Sequence, residues 1–394
     1  MSRESTSRVA GADGLRAIAC LLVVWHHITQ RLNPDQLPGF LQNLHFLGMR
    51  GEVGVSLFFV LSGALLSLPF WHSFIHGTAR PKLSSYVIHR VSRIVPAFWF
   101  NLIFCTLTAW WVFDLQINWW RLISGLLFIN SYHFSTFFPA ELNGPLWSIG
   151  LEVSCYIVLP LVLLTIFKLR RKFTYAFYFL IIWIFALQIL NPWIIRTFMT
   201  SDDFKGWQYG LAGGAKQWLP YWNFDTFFTQ FLLGSLAALI IVQLRSLPIS
   251  KSIFFDVTAI FALLGALLLV VMRLDPGSPD SVTNQPYLAP LYALLMAIAL
   301  ATGAHGRFLG TLLDNCLFKW IAKISFGIYL WHMMVISFIE RKISTDYVYY
   351  GIYDPLRWLK ISSIVVLISL LIASISWKFL ESPALIRARK LTAK

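Results

Sequence analysis

Residues 53–74 read VGVSLFFVLSGALLSLPFWHSF, without a single charged side chain. As an α-helix the run is about 33 Å long, enough to cross a hydrocarbon core of about 30 Å. Nine further apolar runs of comparable length lie on either side of it. They are Gly14–Thr29, Ile94–Phe113, Pro145–Phe167, Thr174–Ile195, Asn223–Val242, Ile253–Met272, Pro286–Thr302, Leu317–Ile339 and Trp358–Leu380. A tenth flanking stretch, Leu122–Asn130, is too short to span and reads as a re-entrant or interfacial helix. The 394 residues are 57% hydrophobic and only 13% charged, more apolar than a soluble core can hide. The expectation is an all-α membrane protein of about ten transmembrane helices plus that short helix.

A formal charge of +14 suggests nucleic acid, but the placement of the basic residues argues for membrane orientation instead. With the N-terminus inside, the spans alternating and charges near span ends counted with the nearer side, the inner side holds 21 of the 32 Lys and Arg residues. The densest groups are Arg80, Lys82, Arg90 and Arg93; Lys168, Arg170, Arg171 and Lys172; and Arg387, Arg389, Lys390 and Lys394. All fall inside when the number of spans is even, which puts both termini in the cytoplasm. Ser2 to Ala12 is polar and lacks a cleavable signal pattern, so the first apolar run reads as a retained span. Cys20, Cys105, Cys155 and Cys316 sit in or beside spans with no Cys-x-x-Cys pair, implying neither a disulfide nor a metal site.

No linker, low-complexity tract or repeat divides the chain, so residues 1–394 read as a single domain with no fused extracytoplasmic domain. The longer loops, 29–52, 114–144, 196–222 and 273–285, all fall outside and could roof a cavity. Any chemistry must then come from the bundle itself.

Polar residues inside a bilayer are costly and mark function. Arg16 and His27 are eleven residues apart, which places them on one helical stripe with about 16 Å of rise between them. His26 points elsewhere. Glu152 lies about 10 Å below the outer boundary, counted from Pro145. His332, thirteen residues beyond Lys319, reaches a similar level, so His27, Glu152 and His332 are expected to converge. Arg90 and Arg93 share a face at the inner membrane surface, and guanidinium forks suit phosphate. Plainer readings stand beside these: the arginines can meet lipid headgroups, and each histidine can be a helix–helix hydrogen-bond partner.

Six elements in order resemble the acyltransferase-3 family of membrane acyltransferases. They are Asp13-Gly-Leu-Arg16 followed by His27; Gly54 to Gly63; Arg90-x-x-Arg93-Ile-x-Pro96; Leu146-Trp-Ser148 with Glu152 and Tyr156; Ser325-Phe-Gly-Ile-Tyr329-Leu-Trp-His332; and Glu381-x-Pro383. The resemblance implies transfer of an acyl group, acetyl by family habit, from cytoplasmic acyl-CoA to a hydroxyl of a surface or secreted carbohydrate. No metal is implied. It also implies that Arg16 and His27 are essential and that Arg90 and Arg93 matter. Two positions depart from the family: His26 stands where an aromatic residue is usual, and Val153 where an acid usually follows Glu152.

From these features we expect His27 as general base, oriented by Glu152 or His332, and Arg16, Arg90 and Arg93 holding the phosphates of CoA. An acyl-serine or acyl-histidine relay, with Ser62 or Ser148 as carrier, ranks second. The expected setting is the plasma (inner) membrane. The expected partners are lipid, a carbohydrate or glycolipid acceptor and polysaccharide-assembly proteins, with no nucleic acid. The main competitor is a transporter or flippase of an acyl donor or lipid-linked sugar with a His/Glu proton relay, although no inverted repeat is visible. An unrelated membrane-bound O-acyltransferase fold is a third reading, disfavoured by the early Arg16 and His27 stripe.

Overall fold

The computed structural model describes residues 9–198, 215, 219–272 and 285–393. Much of the loops 196–222 and 273–285, expected to roof a cavity, and most of the polar segment before Ala12 lie outside these residues. The described chain is helical, apart from an isolated bridge between Leu32 and Ile352. The long helices are α1 (Ala12–Thr29), with the short α2 (Gly39–Met49) after it, then α3 (Gly54–His76) and α4 (Leu83–Phe113). The short α5 (Trp119–Leu126) precedes α6 (Trp147–Ile166), α7 (Phe173–Phe198), α8 (Phe224–Ser246), α9 (Ile253–Val271) and α10 (Leu291–Gly303). A five-residue α11 (Leu309–Leu313) leads into α12 (Cys316–Lys342), α13 (Pro355–Ser376) and α14 (Ser382–Thr392).

Nine helical segments among the described residues are long and apolar enough to cross a membrane. Of the ten expected, α1 falls outside that count, because Asp13, Arg16, His26 and His27 interrupt its apolar run. It is nevertheless an 18-residue helix packed between α3 and α12. At eight residues α5 does not span, as expected, and Arg121 fixes it to the loop that follows through the Ser135 carbonyl (2.9 Å) and the Glu141 carboxylate. The helix α2 arises where only a loop was expected, folding back onto α1.

Hydrocarbon gives helices no hydrophobic reason to associate, so close packing must hold the bundle together. The most extensive pairing, α3 with α8, is a crossing of two glycines. A side chain at Gly63 would strike the Phe231 carbonyl, and one at Gly234 would strike the Val60 carbonyl. Next to this crossing Trp71 Nε1 donates to Ser235 Oγ at 3.0 Å. Gly54 lies against the Ala19 carbonyl and seats α1 on α3 in the same way, while Gly327 lies against Ala373 and seats α12 on α13. The large apolar residues of α7 and α9, among them Ile182, Phe185, Phe261 and Leu264, point outward as a lipid-facing surface. Helices α3, α8 and α12 form the interior.

At one end of the bundle the segment after α1 is laced to the loop between α12 and α13. The amides of Tyr350 and Ile352 donate to the Gln30 and Arg31 carbonyls (2.8 and 3.0 Å), and the Asn33 amide donates to the Ile352 carbonyl (2.7 Å). An Arg31–Glu340 ion pair at 3.5 Å reinforces the same contact. The last residue of α1 is thereby held against α12, the helix that carries His332.

Candidate active site

Arg16 faces a cavity of about 280 Å³ enclosed by α1, α3, α4, α6 and α12. Its polar lining also includes Ser62, Arg90, Arg93, Glu152, Tyr156 and Tyr329. Sequence reasoning placed Arg90 and Arg93 ahead of their span. In the structure α4 begins at Leu83 and its 31 residues run about 46 Å, so both arginines lie inside the helix and project into the bundle. Ser85 and His89 continue the helix where a loop was expected, because nothing between Leu83 and Ile94 breaks it.

The three guanidinium groups are held differently. Arg93 pairs at 3.1 Å with Glu381, whose side chain is fully buried, and its charge lies 5.6 Å from the Phe326 ring and 5.3 Å from the Trp377 ring. Arg90 stands over the Tyr156 ring at 6.0 Å. Neither Arg16 nor Arg90 makes a hydrogen bond or ion pair with another described side chain. Both cations face a cavity that also holds the Glu152 carboxylate, and guanidinium forks suit anions with several oxygens.

Glu152 belongs to this cavity. Its carboxylate accepts from Ser62 Oγ at 2.8 Å and from the Tyr156 hydroxyl, and the Tyr86 hydroxyl donates to the Tyr156 carbonyl at 2.9 Å. It is not hydrogen-bonded to His27. The expectation that Glu152 and His27 meet rested on depth alone, and depth leaves open which side of a helix faces which neighbour. Both candidate serines line the cavity, but Ser62 lies against the carboxylate, whereas Ser148 is held by Tyr329 at 2.6 Å, whose hydroxyl donates to the Pro145 carbonyl.

His27 does meet His332. Their ring centroids are 5.2 Å apart, with an angle of 32° between the planes. His332 is fully buried; its Nδ1 donates to the Ile328 carbonyl at 3.0 Å, and its Nε2 has no partner. Tyr329, one turn back on α12, lines the arginine cavity while its ring lies 6.0 Å from that of His332. Cavity and histidine pair are thus neighbours joined through one turn of α12.

The residues that sequence reasoning missed are those that hold the others. Glu381 lies at the far end of the chain from Arg93, and nothing local announces the pair. Gln30 was legible in principle: it follows His26 by four residues and His27 by three, the spacing at which helical side chains meet. It contacts both, with Nδ1 of His27 at 3.2 Å and Nε2 of His26 at 3.0 Å. Among the described residues no group of three or more His, Cys, Asp or Glu side chains is arranged to hold a metal ion.

Residues 9–379 match the acyltransferase-3 family model, described as an acyltransferase domain. Similar proteins include the O-acetyltransferase OatA of Staphylococcus aureus strain NCTC 8325, 27% identical over 95% of this chain and 56% of its own length. A putative O-acetyltransferase of S. aureus strain COL is 25% identical over 95% of this chain and 57% of its own. The chain therefore spans a little over half the length of these relatives. No solved structure matches it.

Proposed function

The chain belongs to the acyltransferase-3 family of membrane acyltransferases, and from that premise we propose that it transfers an acetyl group from acetyl-CoA to a hydroxyl of a carbohydrate. The observation that carries this reading is the cavity in which Arg16 and Arg90 make no ion pair with a described side chain, one helical turn from a pair of histidines. Phosphates of the donor neutralise those arginines, and the pantetheine arm extends along the Arg16–His27 stripe of α1.

In this reading His27 takes the proton of the acceptor hydroxyl at Nε2, and the oxygen attacks the thioester carbonyl. The tetrahedral intermediate collapses, the C–S bond breaks, and the departing thiolate recovers the proton from His27. His332, whose Nε2 lacks a partner, lies where it can share the proton that His27 acquires. Glu152 acts on the donor side through Ser62 and Tyr156, and no longer as the orienting group for His27. The setting is the plasma (inner) membrane with both termini cytoplasmic, and the acceptor is a surface or secreted glycan handled together with polysaccharide-assembly proteins.

One observation favours a second route. Ser62 donates to a carboxylate inside the donor cavity, the arrangement that activates a hydroxyl nucleophile, so an acyl-Ser62 intermediate is chemically accessible. Ser148 pairs with Tyr329 and not with a carboxylate, which supports Ser62 over it as the carrier.

The test is transfer of labelled acetyl from acetyl-CoA to a surface-glycan extract by purified wild type and by His27→Ala, both checked for folding. Label on glycan with wild type alone supports direct transfer through His27. Label retained on the protein after donor alone, and lost in Ser62→Ala, supports the relay. No label with any donor or acceptor overturns the acyltransferase reading in favour of transport.

A further inference from the structure

The polar groups at the C-terminal end of α1 form one chain of hydrogen bonds whose proton positions follow from one another. The Met49 carbonyl can only accept, so the His26 nitrogen 2.6 Å from it, Nδ1, must donate. His26 is buried and no acid is hydrogen-bonded to it, so it is neutral and Nε2 carries a lone pair. The Gln30 atom 3.0 Å from that lone pair is therefore the amide nitrogen. Its amide oxygen is left facing His27 Nδ1 at 3.2 Å, and an oxygen there requires Nδ1 to carry the proton. The lone pair of His27 then has one place to be, Nε2.

We propose that Gln30 and His26 are positioning residues that lock His27 in the tautomer with a proton on Nδ1 and a free lone pair on Nε2. This rests on the reading of His27 as the base. It assigns a purpose to His26, the residue that departs from the family pattern: an aromatic ring in its place offers no lone pair to orient the Gln30 amide. The usual orienter of a catalytic histidine is a carboxylate, which also raises the basicity of the ring. An amide fixes the tautomer without adding charge. The backbone of Gln30 is pinned by the Tyr350 amide at 2.8 Å, so the side chain starts from a fixed point. The titratable and charged groups around the pair are His332 of α12 and Arg31 beyond α1, with Glu52 of the Arg50–Val53 turn on the His26 side.

Two measurements test the assignment, one of them independent of activity. In protein labelled with ¹⁵N-histidine, with the His27 resonances identified by their loss in His27→Asn, wild type shows a protonated Nδ1 and an unprotonated Nε2. Gln30→Ala moves His27 toward the other tautomer. A wild-type His27 protonated on Nε2, or an unchanged spectrum in Gln30→Ala, overturns the proposal even in a preparation without transferase activity. In acetyl transfer, Gln30→Ala lowers kcat about 10- to 100-fold, part of what a general base contributes, with the KM for acetyl-CoA within about 2-fold of wild type. His26→Phe gives a smaller fall. Gln30→Glu recovers much of the rate and moves the acid limb of the pH profile upward by about one unit, because a carboxylate beside the ring favours its protonated form. Equal losses in Gln30→Ala and Gln30→Glu with an unmoved pH limb indicate a merely structural Gln30. Absence of transfer in wild type sinks the acyltransferase reading alone, since the spectrum still decides the tautomer.

Discussion

His27 of α1 and His332 of α12 stand with ring centroids 5.2 Å apart, and the one nitrogen of His332 not bonded to its own helix has no partner. If His27 is the base and His332 its proton-sharing neighbour, their losses differ in kind. His27→Ala removes the base and is expected to lower kcat by about 10²- to 10⁴-fold. His332→Gln keeps a polar group and lowers it about 10-fold, within the smaller range of a supporting group. The double variant is no worse than His27→Ala, because residues acting as a unit are not additive. Independent, multiplying losses in a steady-state assay would separate the two histidines functionally.

Arg16 and Arg90 differ from Arg93, which already has a counter-ion in Glu381. Arg16→Gln and Arg90→Gln are expected to raise the KM for acetyl-CoA about 10-fold each, the loss of one charge-assisted contact, and to leave kcat nearly unchanged. Donors lacking the 3′-phosphate identify which arginine meets that group. Its variant no longer distinguishes the truncated donor from the complete one. If both variants retain full discrimination, neither arginine holds that phosphate.

Glu381 is predicted to act through Arg93. Removing one partner of a buried pair leaves an uncompensated charge, and with Arg93 about one-fifth exposed the cost is up to about 3 kcal/mol. Glu381→Gln should lower the thermal midpoint, and Arg93→Met combined with Glu381→Met should recover stability but not donor affinity. A Glu381→Gln protein as stable as wild type would mean that the pair is dispensable to the fold.

The spans were legible because a run such as residues 53–74 has one physical destination, whatever surrounds it. The stripe from Arg16 to His27 was legible because helical rise and turn angle are fixed by the backbone. What could not be read was rotation about each axis: Glu152 and His27 were assigned similar depths, yet Glu152 faces Ser62 and Tyr156 while His27 faces His332. Such choices are made by small-residue crossings between distant segments, Gly63 with Gly234 above all, and a linear pattern of apolar residues does not encode them. The partnership of Arg93 with Glu381 was hidden for the same reason, although each lay in a motif already noted.

That glycine crossing yields a stability prediction. A methyl group at residue 63 meets the Phe231 carbonyl, and one at residue 234 meets the Val60 carbonyl, so neither site can give way without separating α3 from α8. Gly63→Ala and Gly234→Ala are each expected to cost about 1–3 kcal/mol, as overpacking does elsewhere. Because α3 carries Ser62, donor binding should weaken along with the thermal midpoint. Gly39→Ala, at a position with open space around it, is the control and should change neither.

The loop that pins Gln30 carries its own pH dependence. The Ser344 hydroxyl donates to the Asp346 carboxylate at 2.5 Å and Arg357 lies 2.9 Å away, and these hold the Asp346 carboxyl below its ordinary value of 3.8. A lowered carboxyl contributes stability fully above its unfolded value, and the contribution is lost as the pH falls through the lowered one. The loop is therefore indifferent to pH from neutrality down to about 5 and loosens only below about 4. Asp346 and Arg357 are both more than one-third exposed, so solvent screening keeps the global effect small. The sensitive measurement is local, namely exchange of the Tyr350 and Ile352 amides, which bond to Gln30 and Arg31. Asp346→Asn should speed that exchange at neutral pH and abolish its rise in acid. Unchanged exchange in the variant would show that the loop is held by its backbone pairing to the end of α1 alone.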